Sequence, residues 1–250
     1  MIAHKLYGQG PVRLLILHGW FGDSADFDAV LPALDPEVYS VAVFDYRGYG
    51  GSADEPGPFD LRRIAADGLE LADRLCWRTF SVIGHSMGGK AALLLAAMAP
   101  ERVRKLVGVT PVFSAPVPFD CETADFFARA ADEVDLRAAI IHDTTGRRLP
   151  NHWSASVARA SWKNSRKEAF AGYFRSWSGD NYLPDTEGVA VQMLVIGGAH
   201  DVSITEDVLR ATWLAAYPSA KLAVIAAAGH YPMMETPLAL AALLDGFLRE

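Results

Sequence analysis

Short β-rich apolar runs alternate with stretches of helical periodicity along most of the chain. Val12 to Leu17, Val41 to Phe44, Phe80 to Ile83, Val103 to Val109, Met193 to Ile196 and Leu222 to Ile225 each predict a strand. Several are apolar almost throughout, as strands of a parallel sheet covered on both faces are. Between them, apolar residues recur at helical spacing in Ala25 to Leu34, Leu61 to Leu75, Ala91 to Ala99, Glu206 to Ala216 and Leu238 to Leu248. Alternating strand and helix implies right-handed crossovers and a three-layer α/β fold, a mostly parallel sheet flanked by helices.

The alternation stops after Thr110-Pro111. From Phe113 to Thr186 only helix-like patterns and turn residues occur, and eleven aromatic side chains crowd into this stretch. The pattern divides the chain into a core, 1–112 and 187–250, and an inserted helical lid, 113–186. Open α/β sheets bind ligands at the carboxyl ends of their strands, and an aromatic-rich insertion there reads as a cover for such a site. Trp153, Trp162 and Trp177 are the lid aromatics expected to face a pocket; the alternative is that they form the insertion's own core.

The candidate chemistry concentrates at Gly84-His85-Ser86-Met87-Gly88, where a strand ends and a helix begins. A serine on that sharp turn projects its hydroxyl above the sheet, and side chains at positions 84 and 88 would collide. The helix that follows directs its positive end at the serine. The overlapping Gly84 to Lys90 spacing also matches the start of a phosphate-binding loop, but Ala91 stands where a Mg²⁺-binding hydroxyl is required.

A nucleophilic serine needs a base, an orienting acid and an oxyanion site. His230 follows the last predicted strand and Asp201 the strand before it, so both loops meet above Ser86, in the order Ser, Asp, His. The residue after the nucleophile, Met87, is expected to offer one main-chain oxyanion donor. Trp20, in the glycine-bearing loop Leu17 to Gly22, is expected to offer the second, with Phe21 as the alternative. His18, Phe21 and Tyr231 adjoin these loops and are further candidate substrate contacts. The His85 side chain is expected to point away from the serine. No histidine pairing reads as a metal site.

These segments, together with Asp45 to Ser52 and Glu235-Thr236-Pro237, make the chain resemble the α/β-hydrolase superfamily over essentially its whole length. The resemblance implies Ser86, Asp201 and His230 as a catalytic triad, Trp20 and Met87 as oxyanion donors, and a helical cap. A serine nucleophile argues against the dehalogenases and epoxide hydrolases of this fold, which use aspartate. It leaves a carboxylesterase acting on a small to medium, partly apolar ester, a thioesterase or carbon–carbon bond hydrolase or lyase on the same triad, or a pocket-based ligand sensor. No metal or organic cofactor is required.

Charge bears on partners. The chain carries 23 basic and 30 acidic residues, a formal charge of −7. A chain this acidic is a poor general partner for nucleic acid, whose affinity comes from basic surface. Within the insertion, Asp120 to Asp135 is acidic and Arg147 to Arg175 basic. Either the two halves pair with each other, or Arg159, Lys163, Arg166 and Lys167 guide an anionic substrate or carrier. Cys76 and Cys121 form no metal or redox spacing. The N-terminal stretch lacks a secretion signal and no apolar run reaches membrane length. The expectation is a cytoplasmic monomer or homodimer.

Overall fold

The computed structural model describes residues 2–249. Seven strands form one sheet: β1 (His4–Tyr7), β2 (Val12–Leu17), β3 (Tyr39–Phe44), β4 (Phe80–His85), β5 (Val103–Val109), β6 (Gln192–Gly198) and β7 (Lys221–Ile225). Their order is β1-β3-β2-β4-β5-β6-β7, with β1 antiparallel to β3 and every other pair parallel. The chain leaves β2 towards β3 on one side and returns through β4 on the other. Strand order therefore reverses between β2 and β4, the place where an open α/β sheet leaves a crevice at its carboxyl edge. The six predicted strands all form, and β1 is the edge strand that the pattern did not show.

Around the sheet lie α1 (Leu61–Arg74) and α2 (Met87–Met98), and between β5 and β6 come α3 (Cys121–Arg129), α4 (Val134–Thr144), α5 (Asn151–Asn164), α6 (Lys167–Gly179) and α7 (Leu183–Thr186). α8 (Glu206–Leu209), which runs on into a π-helical turn, precedes β7, and α9 (Pro232–Glu235) and α10 (Pro237–Leu248) close the chain. Asp60 caps α1, its carboxylate accepting from the Arg63 N–H at 2.8 Å. α2 is buried from Met87 to Ala96, which is why its sequence is apolar all round rather than on one stripe. α10 crosses the sheet, where Asp245 accepts from Tyr39 Oη at 2.9 Å and the Phe247 carbonyl accepts from Lys105 Nζ at 2.8 Å.

The helix expected over Ala25 to Leu34 does not form. Successive turns occupy the segment and only Leu31–Ala33 makes a short 3₁₀ turn. Phe27, Val30, Leu31 and Leu34 are buried as the periodicity requires. The backbone, however, is drawn into i to i+3 bonds, and Asp23 accepts from the Ala25 N–H through its side chain. Aspartates that bond the nearby main chain favour turns over helix.

Candidate active site

The turn after β4 holds Ser86 at φ 52°, in the left-handed region where a serine is strained. The strain is supported on both sides. The Ser86 N–H donates to the Val109 carbonyl at 3.0 Å, and its carbonyl accepts from Gly89 and Val112 at 2.9 and 3.0 Å. A Cβ on Gly84 would meet the Gly88 main chain, and a Cβ on Gly88 would stand 2.5 Å from the carbonyl oxygens of Leu17 and His18. Both glycines are thus required by close backbone approach. The second contact also presses the exit of β2 against the start of α2.

His230 and Asp201 arrive from the loops after β7 and β6. His230 Nε2 lies 2.9 Å from Ser86 Oγ, and Nδ1 lies 2.5 Å from Asp201 Oδ2. A carboxylate accepts, so Nδ1 carries the proton and Nε2 is left to accept from the serine hydroxyl. The other Asp201 oxygen accepts from the Ser203 and Ile204 N–H groups at 2.9 and 3.0 Å. Burial pushes the Asp201 carboxyl up, but the charge of His230 and these donors outweigh it, and the net shift is down. Asp201 is therefore held ionised in a buried setting.

Leu17 pairs with Gly84 across the sheet, so the loop carrying Trp20 and the turn carrying Met87 leave adjacent strands. The Trp20 indole is committed elsewhere: Nε1–H donates to the Phe170 carbonyl at 2.9 Å, and the ring stacks on Phe170 at 4.1 Å between centroids.

Ser86 and His230 open on a cavity of about 320 Å³. Its wall is apolar: the Pro111–Phe119 segment on one side, Phe127 and Trp177 from α3 and α6, and Ile204 and Val208 opposite. No Lys, Arg, Asp or Glu lines it among the described residues. Of the expected contacts, Phe21, Trp177 and Tyr231 line the cavity. Three do not. His18 is fully buried behind it, its ring stacked on Tyr46 at 3.7 Å, Nδ1 donating to the Gly19 carbonyl. Trp153 meets the Tyr231 ring edge-on at 6.0 Å from outside the wall. Trp162 is 41% exposed and lies under the Arg137 guanidinium at 4.8 Å. An aromatic-rich insertion has a core of its own, and these two tryptophans serve its flank rather than the pocket.

The His85 side chain reaches the His230 main chain, Nε2 donating to its carbonyl at 2.8 Å. It lines the cavity, and its ring lies 5.2 Å from that of His230. Lys90, which raised the phosphate-loop reading, is fully buried, and Nζ donates to the carbonyls of Ala115, Trp177 and Asp180 at 2.9, 2.9 and 3.0 Å. Three carbonyls use all three ammonium protons, leaving none for a phosphate. Of the basic residues in the insertion, Arg166 pairs with Asp54 and Lys167 with Asp132. Arg159, Lys163, Arg166 and Lys167 all lie outside the cavity wall. No cluster of His, Cys, Asp and Glu suited to a metal occurs, and no helix is long and apolar enough to cross a membrane, among the described residues.

Comparison with known proteins gives the same frame. The model of the alpha/beta hydrolase fold family matches residues 12–237. A human serine hydrolase-like protein is 38% identical over 117 residues, 45% of this chain and 57% of that protein. The pimeloyl-[acyl-carrier protein] methyl ester esterase of Vibrio parahaemolyticus is 39% identical over 116 residues, 45% of this chain and 42% of the esterase. The chain thus spans about half the length of such curated relatives. Among solved structures, an esterase from Exiguobacterium antarcticum superposes with a TM-score of 0.88 at 18% identity, covering 100% of this chain and 96% of that one. A hydrolase from Pseudomonas aeruginosa gives 0.84 at 26% identity, covering 100% and 94%.

Proposed function

The chain belongs to the alpha/beta hydrolase fold family, and from that premise we propose that it is a serine hydrolase cleaving a neutral carboxylic ester of modest size. One observation carries the reading: the hydrogen-bonded series from Ser86 through His230 to Asp201 opens on a cavity with no charged wall.

In this reading Ser86 Oγ attacks the ester carbonyl carbon while His230 Nε2 takes the hydroxyl proton. Asp201 remains ionised, holds the imidazole through Nδ1–H and balances the imidazolium charge. The negative oxygen of the tetrahedral intermediate sits between the main-chain N–H groups of Trp20 and Met87, at the positive end of α2. Collapse of the intermediate breaks the bond to the alcohol, which leaves with the proton from His230. Water then attacks the acyl-enzyme, His230 again taking the proton, and the acid departs with Ser86 regenerated. Residues 113–186 act as a cap over the 1–112 and 187–250 core, supplying Phe119, Phe127 and Trp177 to the wall.

Size follows from volume. At about 30 Å³ for each water-sized group, the cavity holds about ten non-hydrogen atoms. That suits short and medium acyl chains rather than long lipids.

The test is hydrolysis of p-nitrophenyl acetate, butyrate and octanoate by the wild type and Ser86→Ala, with a fluorophosphonate probe alongside. Turnover and labelling are expected in the wild type, and both are lost in the variant, turnover by more than about 10³-fold. Folded wild-type protein that neither labels nor turns over any of the three esters would overturn the reading.

A further inference from the structure

The main chain around His230 is held on every side. Its N–H donates to the Thr144 carbonyl, at the end of α4, at 3.2 Å. Its carbonyl accepts from His85 Nε2 at 2.8 Å and from Thr110 Oγ1 at 2.9 Å. On either side of it, the Gly229 and Tyr231 N–H groups donate to the two carboxylate oxygens of Glu235, at 2.8 and 2.9 Å. One buried side chain therefore brackets the candidate base by its neighbours.

Glu235 has a third partner. Its side chain is only 1% exposed, and Oε2 accepts from Arg148 Nη2 at 2.6 Å. The same nitrogen donates to the Ala227 carbonyl at 3.3 Å, in the loop leading to His230. Arg148 belongs to the turn between α4 and α5, in the helical segment rather than the core. That turn sits closely on both loops of the site. A Cβ on Gly229 would stand 2.7 Å from Thr145 Cα, and a Cβ on Gly146 would stand 2.8 Å from the His200 carbonyl. A buried carboxylate without a cation is costly, so lifting this turn would strip Glu235 of its counter-charge and His230 of its N–H acceptor together.

We infer that Glu235 is a positioning residue for His230, and that Arg148 makes this positioning depend on the helical segment being seated. The inference rests on the serine-hydrolase reading above. Neither side chain lines the cavity, so their effect must pass through the base.

Four variants test it: Arg148→Met, Arg148→Lys, Glu235→Gln and the double substitution Arg148→Met with Glu235→Gln. Each is measured for kcat and KM on p-nitrophenyl butyrate and for the rate of fluorophosphonate labelling, with Ser86→Ala as control. Loss of a support held behind a reacting group costs about 10- to 100-fold, and misplacement by 1 Å is enough for the upper figure. Arg148→Met is expected to lower kcat and labelling by about tenfold with KM within about twofold. Arg148→Lys restores most of that loss. Because Arg148 acts through Glu235, adding Arg148→Met to Glu235→Gln lowers kcat by less than about twofold further. Arg148 is partly exposed, so this variant decides the matter even if Glu235→Gln does not fold. Wild-type labelling and kcat in Arg148→Met, or a raised KM at unchanged kcat, would overturn the inference while the serine-hydrolase reading stands. Labelling that persists in Ser86→Ala would instead overturn that reading.

Discussion

His85 Nε2 lies 2.8 Å from the main-chain carbonyl of His230, so the residue before Ser86 holds the backbone of the histidine proposed as its base. A carbonyl only accepts, so Nε2 carries the proton and Nδ1 is the bare nitrogen, buried against Gly19 with no hydrogen-bond partner in the described structure. Burial, reinforced by the neighbouring charges of His230 and His18, pulls the His85 pKa well below its usual value. His85 is thus a neutral donor throughout the physiological range, and it supports the backbone of His230 rather than exchanging protons with its ring.

A stability profile follows from that neutrality. Unfolded, a histidine takes up a proton near pH 6.5. Folded, His85 does so only at lower pH, so between those values the unfolded chain binds more protons. Stability must then fall as pH drops below about 6.5. His18, also buried and lowered, adds to the same slope. Gln can reproduce the Nε2 donor without titrating. Thermal unfolding at pH 5, 6, 7 and 8 should show the wild type losing Tm below pH 6.5 and His85→Gln losing less. Parallel curves for the two proteins would exclude His85 as a source of the slope.

Sheet and site differ in how far the sequence reveals them. Continuous apolar runs such as Val41 to Phe44 announce buried strands, and the Gly84-x-Ser86-x-Gly88 turn needs its glycines for a local reason visible in five residues. The convergence of Ser86, Asp201 and His230 follows from strand order once the sheet is parallel. The turns from Asp23 to Leu34 were hidden because apolar spacing reports which side chains are buried, not which carbonyl each N–H reaches. The pocket wall was hidden for a related cause. Trp162 and Trp177 are the same residue type on neighbouring helices, and only packing puts one outside and the other in the wall of the cavity on which Ser86 opens. The Glu235–Arg148 contact joins residues 87 apart, a separation on which periodicity is silent.

Lys90 anchors α2 to the helical segment through three main-chain carbonyls, and it does so without a carboxylate at hydrogen-bond distance. Burial lowers its pKa to about 8, the charge of Asp180 opposing. Methionine matches its shape but donates nothing, leaving the Ala115, Trp177 and Asp180 carbonyls without this partner. At about 1 kcal/mol for each lost acceptor, Lys90→Met should cost roughly 2–4 kcal/mol. For a chain of this size that is a Tm lower by about 5–15 °C at pH 7. A Tm within about 2 °C of wild type would mean that water or rearrangement replaces the ammonium.

Chain-length preference tests the cavity itself. Each buried methylene contributes about 0.8 kcal/mol, or roughly fourfold in kcat/KM while the acyl chain still finds wall to cover it. From acetate to butyrate two methylenes are added, so kcat/KM should rise by about 15-fold. The gain must stop where the volume is full, which the ten-atom capacity puts near octanoate. Phe127, reaching in from α3, is the side chain to shorten. It stacks among Trp20, Phe119, Phe174 and Trp177, yet α3 buries none of its residues completely. Phe127→Ala therefore removes wall with less loss of core than a fully buried phenylalanine would bring. The octanoate-to-butyrate ratio of kcat/KM should increase by about fourfold or more in this variant, while acetate changes little. If all three esters lose activity by the same factor, Phe127 shapes the fold of the segment rather than the volume open to the acyl chain.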